Sequence, residues 1–211
     1  MPVIAVVDYE MGNLHSVCKG LEKAGATPKV TYCARELEQA DAIVLPGVGA
    51  FDPAVQHLRE RGLEQPIKDA ISSGKPFLGI CLGLQILFES SAEGTQRGLG
   101  IVRGKVRRFR PEASIAIPHM GWNQLQLTQA KSILWEHLPA QPWVYFVHSY
   151  YVDPTEPHIR AATVTHGSQT VTAAIAHENL MAVQFHPEKS SNIGLQVLSN
   201  FVAQVREKIP A

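Results

Sequence analysis

Apolar and polar positions along the chain change period several times. Val3 to Val7 is a short, continuous apolar run rich in β-branched residues and bounded by Asp8 and Gly12, the pattern of a strand buried on both faces. Asn13 to Ala24 then has Leu14, Val17, Cys18, Leu21 and Ala24 at i, i+3, i+4 spacing. This predicts a helix with Asn13 as N-cap and Gly25 as its stop. Further strands are expected near Lys29 to Tyr32, Ala42 to Leu45 and Phe77 to Ile80. Helices are expected over Asp52 to Arg61, Pro66 to Ser73 and Leu84 to Glu89. Strand and helix alternating at this interval imply βαβ crossovers, hence a doubly wound, mostly parallel, flavodoxin-like α/β sheet with helices on both faces.

After Gly100 the long helices cease. Strands are expected at Val102 to Phe109, Asn123 to Leu127, Trp143 to His148, Arg160 to Thr165, Val171 to His177 and Met181 to Phe185, some of them antiparallel. Asn192 to Val205 closes the pattern as a helix with Ile193, Val197, Phe201 and Val205 on one stripe. Neither repeat nor linker interrupts the 211 residues, so one domain spanning 1–211 is expected. A chain of this size buries about 70 % of its surface on folding, enough for a core without disulfides or metal.

Composition narrows the classes. Nineteen Lys and Arg balance nineteen Asp and Glu, which leaves no net field to attract nucleic acid or an anionic membrane. The most apolar run, Pro76 to Phe88, is too short to span a bilayer, and Asp8 and Glu10 stand where a signal peptide would be basic. A cytoplasmic protein is therefore expected. The three cysteines, Cys18, Cys33 and Cys81, include no CxxC pair, so they suggest neither a disulfide framework nor a zinc site, and one is a candidate nucleophile.

The candidate is Cys81 in Gly79-Ile80-Cys81-Leu82-Gly83, between a buried strand and a helical run. Glycines two before and two after allow a sharp turn that exposes the sulfur, sets it at a helix N-terminus and aims the Leu82 N–H at a developing oxyanion. A cysteine in an apolar stretch is by itself ordinary packing, and the flanking glycines are what distinguish this one. A thiol needs a base, and His186 in Gln184-Phe185-His186-Pro187-Glu188 is the candidate. Pro187 keeps His186 extended, so that Glu188 can face the same side and orient the ring; a strand-end histidine beside a solvated glutamate is the plainer alternative. Pro46-Gly47-Val48-Gly49 follows another buried strand and can supply a second oxyanion donor from Val48 or Gly49, although Pro-Gly also marks ordinary turns. The stretch Arg103 to Arg110 carries five basic residues in eight, with Val102, Gly104 and Val106 alternating against Arg103, Lys105 and Arg107. It reads as a half-solvated strand, with a docking surface as the lesser alternative.

Taken together, Gly-Xaa-Cys-Xaa-Gly and the late His-Pro-Glu resemble the class I glutamine amidotransferases, with Cys81, His186 and Glu188 at the triad positions. Within that family the chain is most similar to glutaminase subunits of imidazole glycerol phosphate synthases. The resemblance runs nearly end to end, through Asp8-Tyr9, Met11 to Leu14, Pro46 to Phe51, Cys81 to Gln85, Pro118 to Asn123, Tyr145 to Tyr150 and Gln184 to Ser190. Glu10 replaces the glycine usual in those relatives.

The resemblance implies hydrolysis of glutamine to glutamate and ammonia, without metal or organic cofactor. Ammonia would pass to a (β/α)8-barrel cyclase subunit, with which the chain would form a heterodimer serving histidine biosynthesis. It also implies that Gln85, Glu93, Ser149 and Tyr150 hold glutamine, and that Pro118, His119, Met120, Gly121, Trp122 and Asn123 face the cyclase. Read from spacing alone, Trp122 is equally a core aromatic, and His119, His148 and His177 are structural. Three alternatives remain: an amidotransferase subunit of another synthase (anthranilate, pyridoxal phosphate, guanylate or carbamoyl phosphate), a Cys-His hydrolase of the same architecture, and a non-catalytic flavodoxin-like module.

Overall fold

A computed structural model describes residues 1–208. Its first half runs β1 (Val3–Val7), α1 (Leu14–Lys23), β2 (Thr27–Thr31), α2 (Ala34–Gln39), β3 (Ala42–Gly47), α3 (Phe51–Glu60), α4 (Glu64–Ser72), β4 (Phe77–Cys81), α5 (Leu82–Gln85) and β5 (Phe88–Ser91). The second half has β6 (Val102–Arg108), β7 (His119–Leu127), β8 (Trp143–His148), β9 (Tyr150–Pro154), β10 (Arg160–His166), β11 (Gln169–His177), β12 (Leu180–Val183) and α6 (Ser191–Lys208). Strands lie in the order β2-β1-β3-β4-β12-β11-β10-β7-β8. The first five are mutually parallel and each later neighbour pairs antiparallel.

Alternation along the central strands divides the core in two. Ile4, Val6, Val44, Leu78, Ile80 and Val183 pack on one face with Val17 and Leu21 of α1 and Val197 and Phe201 of α6. Ala5, Val7, Ile43, Leu45, Phe77 and Ala182 pack on the other with Leu37 of α2, Val55 and Leu58 of α3 and Ile67 of α4. Burial on both faces explains why these strands read as unbroken apolar runs. On β6 the alternation is the half-solvated one expected, with Val102, Gly104 and Val106 inward and Arg103, Lys105 and Arg107 outward.

Several expectations need correction. The run Leu84 to Glu89 is not helical throughout: α5 makes a single turn, and Phe88 to Ser91 pairs with β6, since apolar runs this short do not distinguish helix from strand. β2 begins at Thr27 because Thr27 pairs with Val3, and β7 begins at His119 because His119 pairs with His148. β12 ends at Val183, short of Phe185. α2, β5 and β9 were not anticipated. Cys33 lies in no strand; it is exposed at the start of α2.

Candidate active site

The carboxyl ends of β3, β4 and β12 converge on one cavity of about 290 Å³. Of the expected site residues, Val48, Gly49, Cys81, Leu82, Gln85, Glu93, Ser149, Tyr150 and His186 line it, together with Pro118, Val147 and His148. This is the crevice where open α/β sheets bind ligands.

Cys81 ends β4 with φ 55° and ψ −109°, so the cysteine itself takes the left-handed turn. Such a conformation costs a non-glycine residue about 1–3 kcal/mol and persists only where packing enforces it. The flanking glycines act by clearance. A Cβ on Gly83 would lie 1.8 Å from the Leu45 carbonyl oxygen, and one on Gly79 would lie 3.0 Å from both the Ala182 side chain and the Gly83 carbonyl. The helix N-terminus expected at the sulfur is a single four-residue turn, so α5 contributes little dipole there; its first amide, at Leu82, still lacks an intrahelical acceptor.

His186 is 2 % exposed, and its Nδ1 donates to Glu188 Oε1 at 2.8 Å. His186 is extended and residues 187–189 form a 3-10 turn that brings the carboxylate back to the ring. Ser190 fastens this corner to β8, its hydroxyl donating to the His186 carbonyl at 2.7 Å and accepting the Tyr145 amide at 2.9 Å. Nε2 is buried without a protein hydrogen-bond partner. Burial works against a charged ring, but the neighbouring Cys81 and Glu188 outweigh it and push the imidazole up to about 10. A protonated imidazole beside the Cys81 sulfur is the charge state this arrangement favours.

The loop after β3 is held from beneath. The Tyr9 hydroxyl donates to the Pro46 carbonyl at 2.7 Å, and the Val48 amide donates to the Met11 carbonyl at 2.9 Å. Val48 N–H is therefore engaged and unavailable as an oxyanion donor in this conformation, while Gly49 beside it stands at φ 106°. Glu93 Oε2 accepts the Phe51 amide at 2.9 Å, so only its second oxygen remains for a ligand.

The segment 118–123 splits by side. Pro118, Met120 and Trp122 are exposed and Gly121 is half-buried, whereas His119 is buried and Asn123 is held inward, its Nδ2 donating to the Thr165 carbonyl. His119 therefore cannot face a partner as expected. Sequence reasoning also missed Gln184, fully buried, with its Nε2 directed at Cys81 Sγ at 3.6 Å. Period-two alternation back from His186 was the available signal.

A strained cysteine sharing one cavity with a buried His–Glu pair at the carboxyl edge of a parallel sheet is an arrangement able to carry out thiol-dependent acyl transfer. The chain belongs to the class I glutamine amidotransferase family, which it matches over residues 5–205. Over all 211 residues, and the full length of both chains, it is 90 % identical to the imidazole glycerol phosphate synthase subunit HisH of Nostoc punctiforme. It is 83 % identical, again over the whole of both chains, to the corresponding subunit of Trichormus variabilis. Its fold is similar to that of the glutaminase domain of Trypanosoma brucei CTPS, solved with bound acivicin. There the TM-score is 0.72 at 18 % identity, covering 100 % of this chain and 96 % of the other. Among the described residues no group of side chains is placed to hold a metal ion, and no helix is long and apolar enough to cross a membrane.

Proposed function

We infer that this chain is the glutaminase subunit of an imidazole glycerol phosphate synthase, hydrolysing glutamine through Cys81 and supplying ammonia to a cyclase subunit. The observation that carries the reading is the left-handed Cys81 beside the buried His186–Glu188 pair in a cavity sized for an amino acid. Full-length identity to subunits of that synthase supports the choice of partner. A single-domain chain 1–211 acting in the cytoplasm accords with it.

Cys81 Sγ attacks the glutamine side-chain amide carbon, and the tetrahedral oxyanion rests on Leu82 N–H and an amide of the 46–49 loop. The His186 imidazolium gives its Nε2 proton to the departing nitrogen, which leaves as ammonia. The neutral ring then takes a proton from water as that water attacks the γ-glutamyl thioester, and glutamate leaves with Cys81 restored. Glu188 holds Nδ1–H throughout and stabilises the charged ring, while Gln85, Glu93, Ser149 and Tyr150 hold the substrate. The exposed apolar edge of Met120, Trp122 and Trp143, continuous with the cavity rim at Pro118, offers the docking face for a (β/α)8-barrel cyclase.

Cys81→Ala tests this division of labour. Glutamine-dependent synthesis by the assembled enzyme should be lost, while synthesis from added ammonium is retained. Equal loss from both nitrogen sources would overturn it.

A further inference from the structure

Between the docking strand β7 and Cys81 lies a file of polar side chains that neither packing nor the triad requires. Asn123 Nδ2 contacts His119 Nε2 at 3.0 Å, His119 Nδ1 contacts His148 Nε2 at 3.0 Å, and His148 Nδ1 contacts the Tyr150 carbonyl at 2.7 Å. From the other side, Gln85 Nε2 donates to the same carbonyl and to Gln184 Oε1, each at 3.1 Å, and Gln184 Nε2 donates to Cys81 Sγ at 3.6 Å.

The Tyr150 carbonyl fixes the direction of every bond in the file, because a carbonyl can only accept. His148 must carry its proton on Nδ1, so its Nε2 accepts. His119 then carries its proton on Nδ1, and its Nε2 accepts from Asn123. Likewise Gln85 must turn its nitrogen to the carbonyl, Gln184 must receive with oxygen, and the nitrogen of Gln184 is what remains for sulfur. Both rings are uncharged in this scheme. Burial, the first cause in each, agrees, holding His119 at about 4 and His148 at about 3. The rings are also locked by aromatic contact, His119 stacking on Phe146 and His166 at 4.7 and 4.2 Å.

We propose that Gln184 is a further catalytic residue, holding a hydrogen-bond donor on the Cys81 sulfur, and that His119 and His148 are positioning residues that orient it through Tyr150 and Gln85. The assignment rests on the glutaminase reading for its purpose, since a donor on sulfur favours the thiolate nucleophile. Because the Gln85 nitrogen serves the carbonyl and Gln184, its Oε1 is left to face the cavity and accept from the substrate. Disturbing the imidazoles should therefore alter both the sulfur and glutamine affinity.

The test uses the full chain assembled with its cyclase. Iodoacetamide alkylation of Cys81 is followed against pH by peptide mapping, and glutamate release gives kcat and KM. Gln184→Leu should move the alkylation midpoint up by about one pH unit, the worth of one hydrogen bond to a charged group. His119→Phe should shift the midpoint the same way and raise the KM for glutamine, while His119→Asn, which keeps a donor where Nδ1 stood, should restore both. Alkylation profiles identical to the parent in Gln184→Leu would overturn the proposal. A shift in Gln184→Leu with none in His119→Phe would overturn the file. Long-range nitrogen–proton NMR of the parent chain reports on the imidazoles without any variant: both should be Nδ1–H, and Nε2–H on His148 contradicts the scheme. Loss of glutamate release in the parent would count against the glutaminase reading alone, because alkylation does not depend on it.

Discussion

At the scale of single residues, the pair His186–Glu188 sets the pH behaviour. A folded-state pKa raised to about 10 means the pair's contribution to stability is full below the unfolded value of ~6.5 and is lost as pH rises through about 10. The same titration removes the proton given to departing ammonia, so kcat should fall over that alkaline range. Glu188→Gln withdraws one of the charges that raise the ring, and the alkaline limb of kcat should move to lower pH. An unmoved limb would mean that Glu188 does not tune the imidazole. His186→Ala, which loses the proton carrier outright, should lower kcat further than Glu188→Gln; equal turnover in His186→Ala and the parent would exclude it as the base. Glu10 poses a smaller question. It stands at φ 68° and pairs with Arg61. A left-handed non-glycine costs about 1 kcal/mol or more, and an exposed ion pair returns at most about as much. Glu10→Gly should leave activity intact and hold or raise the thermal midpoint, and a clear fall would show the ion pair to be the larger effect.

At the scale of elements, the strand β4, its one-turn successor α5 and the neighbouring β3 form the device that bends Cys81. Gly83→Ala drives a Cβ into the Leu45 carbonyl, a backbone group that cannot swing aside, whereas Gly79→Ala meets its neighbours at 3.0 Å. The expected outcome is a large loss of soluble, folded chain for Gly83→Ala and a milder fall in thermal midpoint for Gly79→Ala. The reverse order would refute the clearance account. That both glycines mattered was legible in the sequence, but the reason was not, since the clearance of Gly83 against Leu45 of β3 and of Gly79 against Ala182 of β12 depends on which strands pair with β4. The parallel core was legible because strands buried on both faces leave unbroken apolar runs. α2 escaped because its six residues, Ala34–Gln39, bury only Leu37. β9 escaped because Tyr150, Tyr151 and Asp153 are half-buried and its alternation is weak. The sharp turn at Cys81 and the contact between His186 and Glu188 were legible from their glycine and proline neighbours. The Asn123–His119–His148 file was not, because it joins residues from β7 and β8 through ring nitrogens, and only pairing of His119 with His148 brings them together.

At the scale of the whole molecule, the 46–49 loop is the part of the site through which the proposed partner would act. In this chain the Val48 amide is held by Met11, so one candidate oxyanion donor is turned to the protein. Loss of one such donor typically costs ~10² to 10³ in rate. Glutaminase turnover should be low for the chain alone, rise when the cyclase docks and rise again when the cyclase binds its nucleotide ligand; full turnover by the isolated chain would rule out gating. Docking itself should depend on Trp122, half-exposed beside Met120, and Trp122→Ala should weaken association by about tenfold or more in calorimetry. Unchanged affinity would move the interface elsewhere.

Every role proposed for the site requires Cys81 to be the nucleophile toward glutamine, and covalent labelling tests this directly. The chain holds two other free thiols, half-buried Cys18 and exposed Cys33, which serve as internal controls. A diazo-ketone analogue of glutamine, followed by peptide mapping, should modify Cys81 alone and be blocked by excess glutamine. Label on Cys18 or Cys33 with Cys81 spared would contradict the assignment.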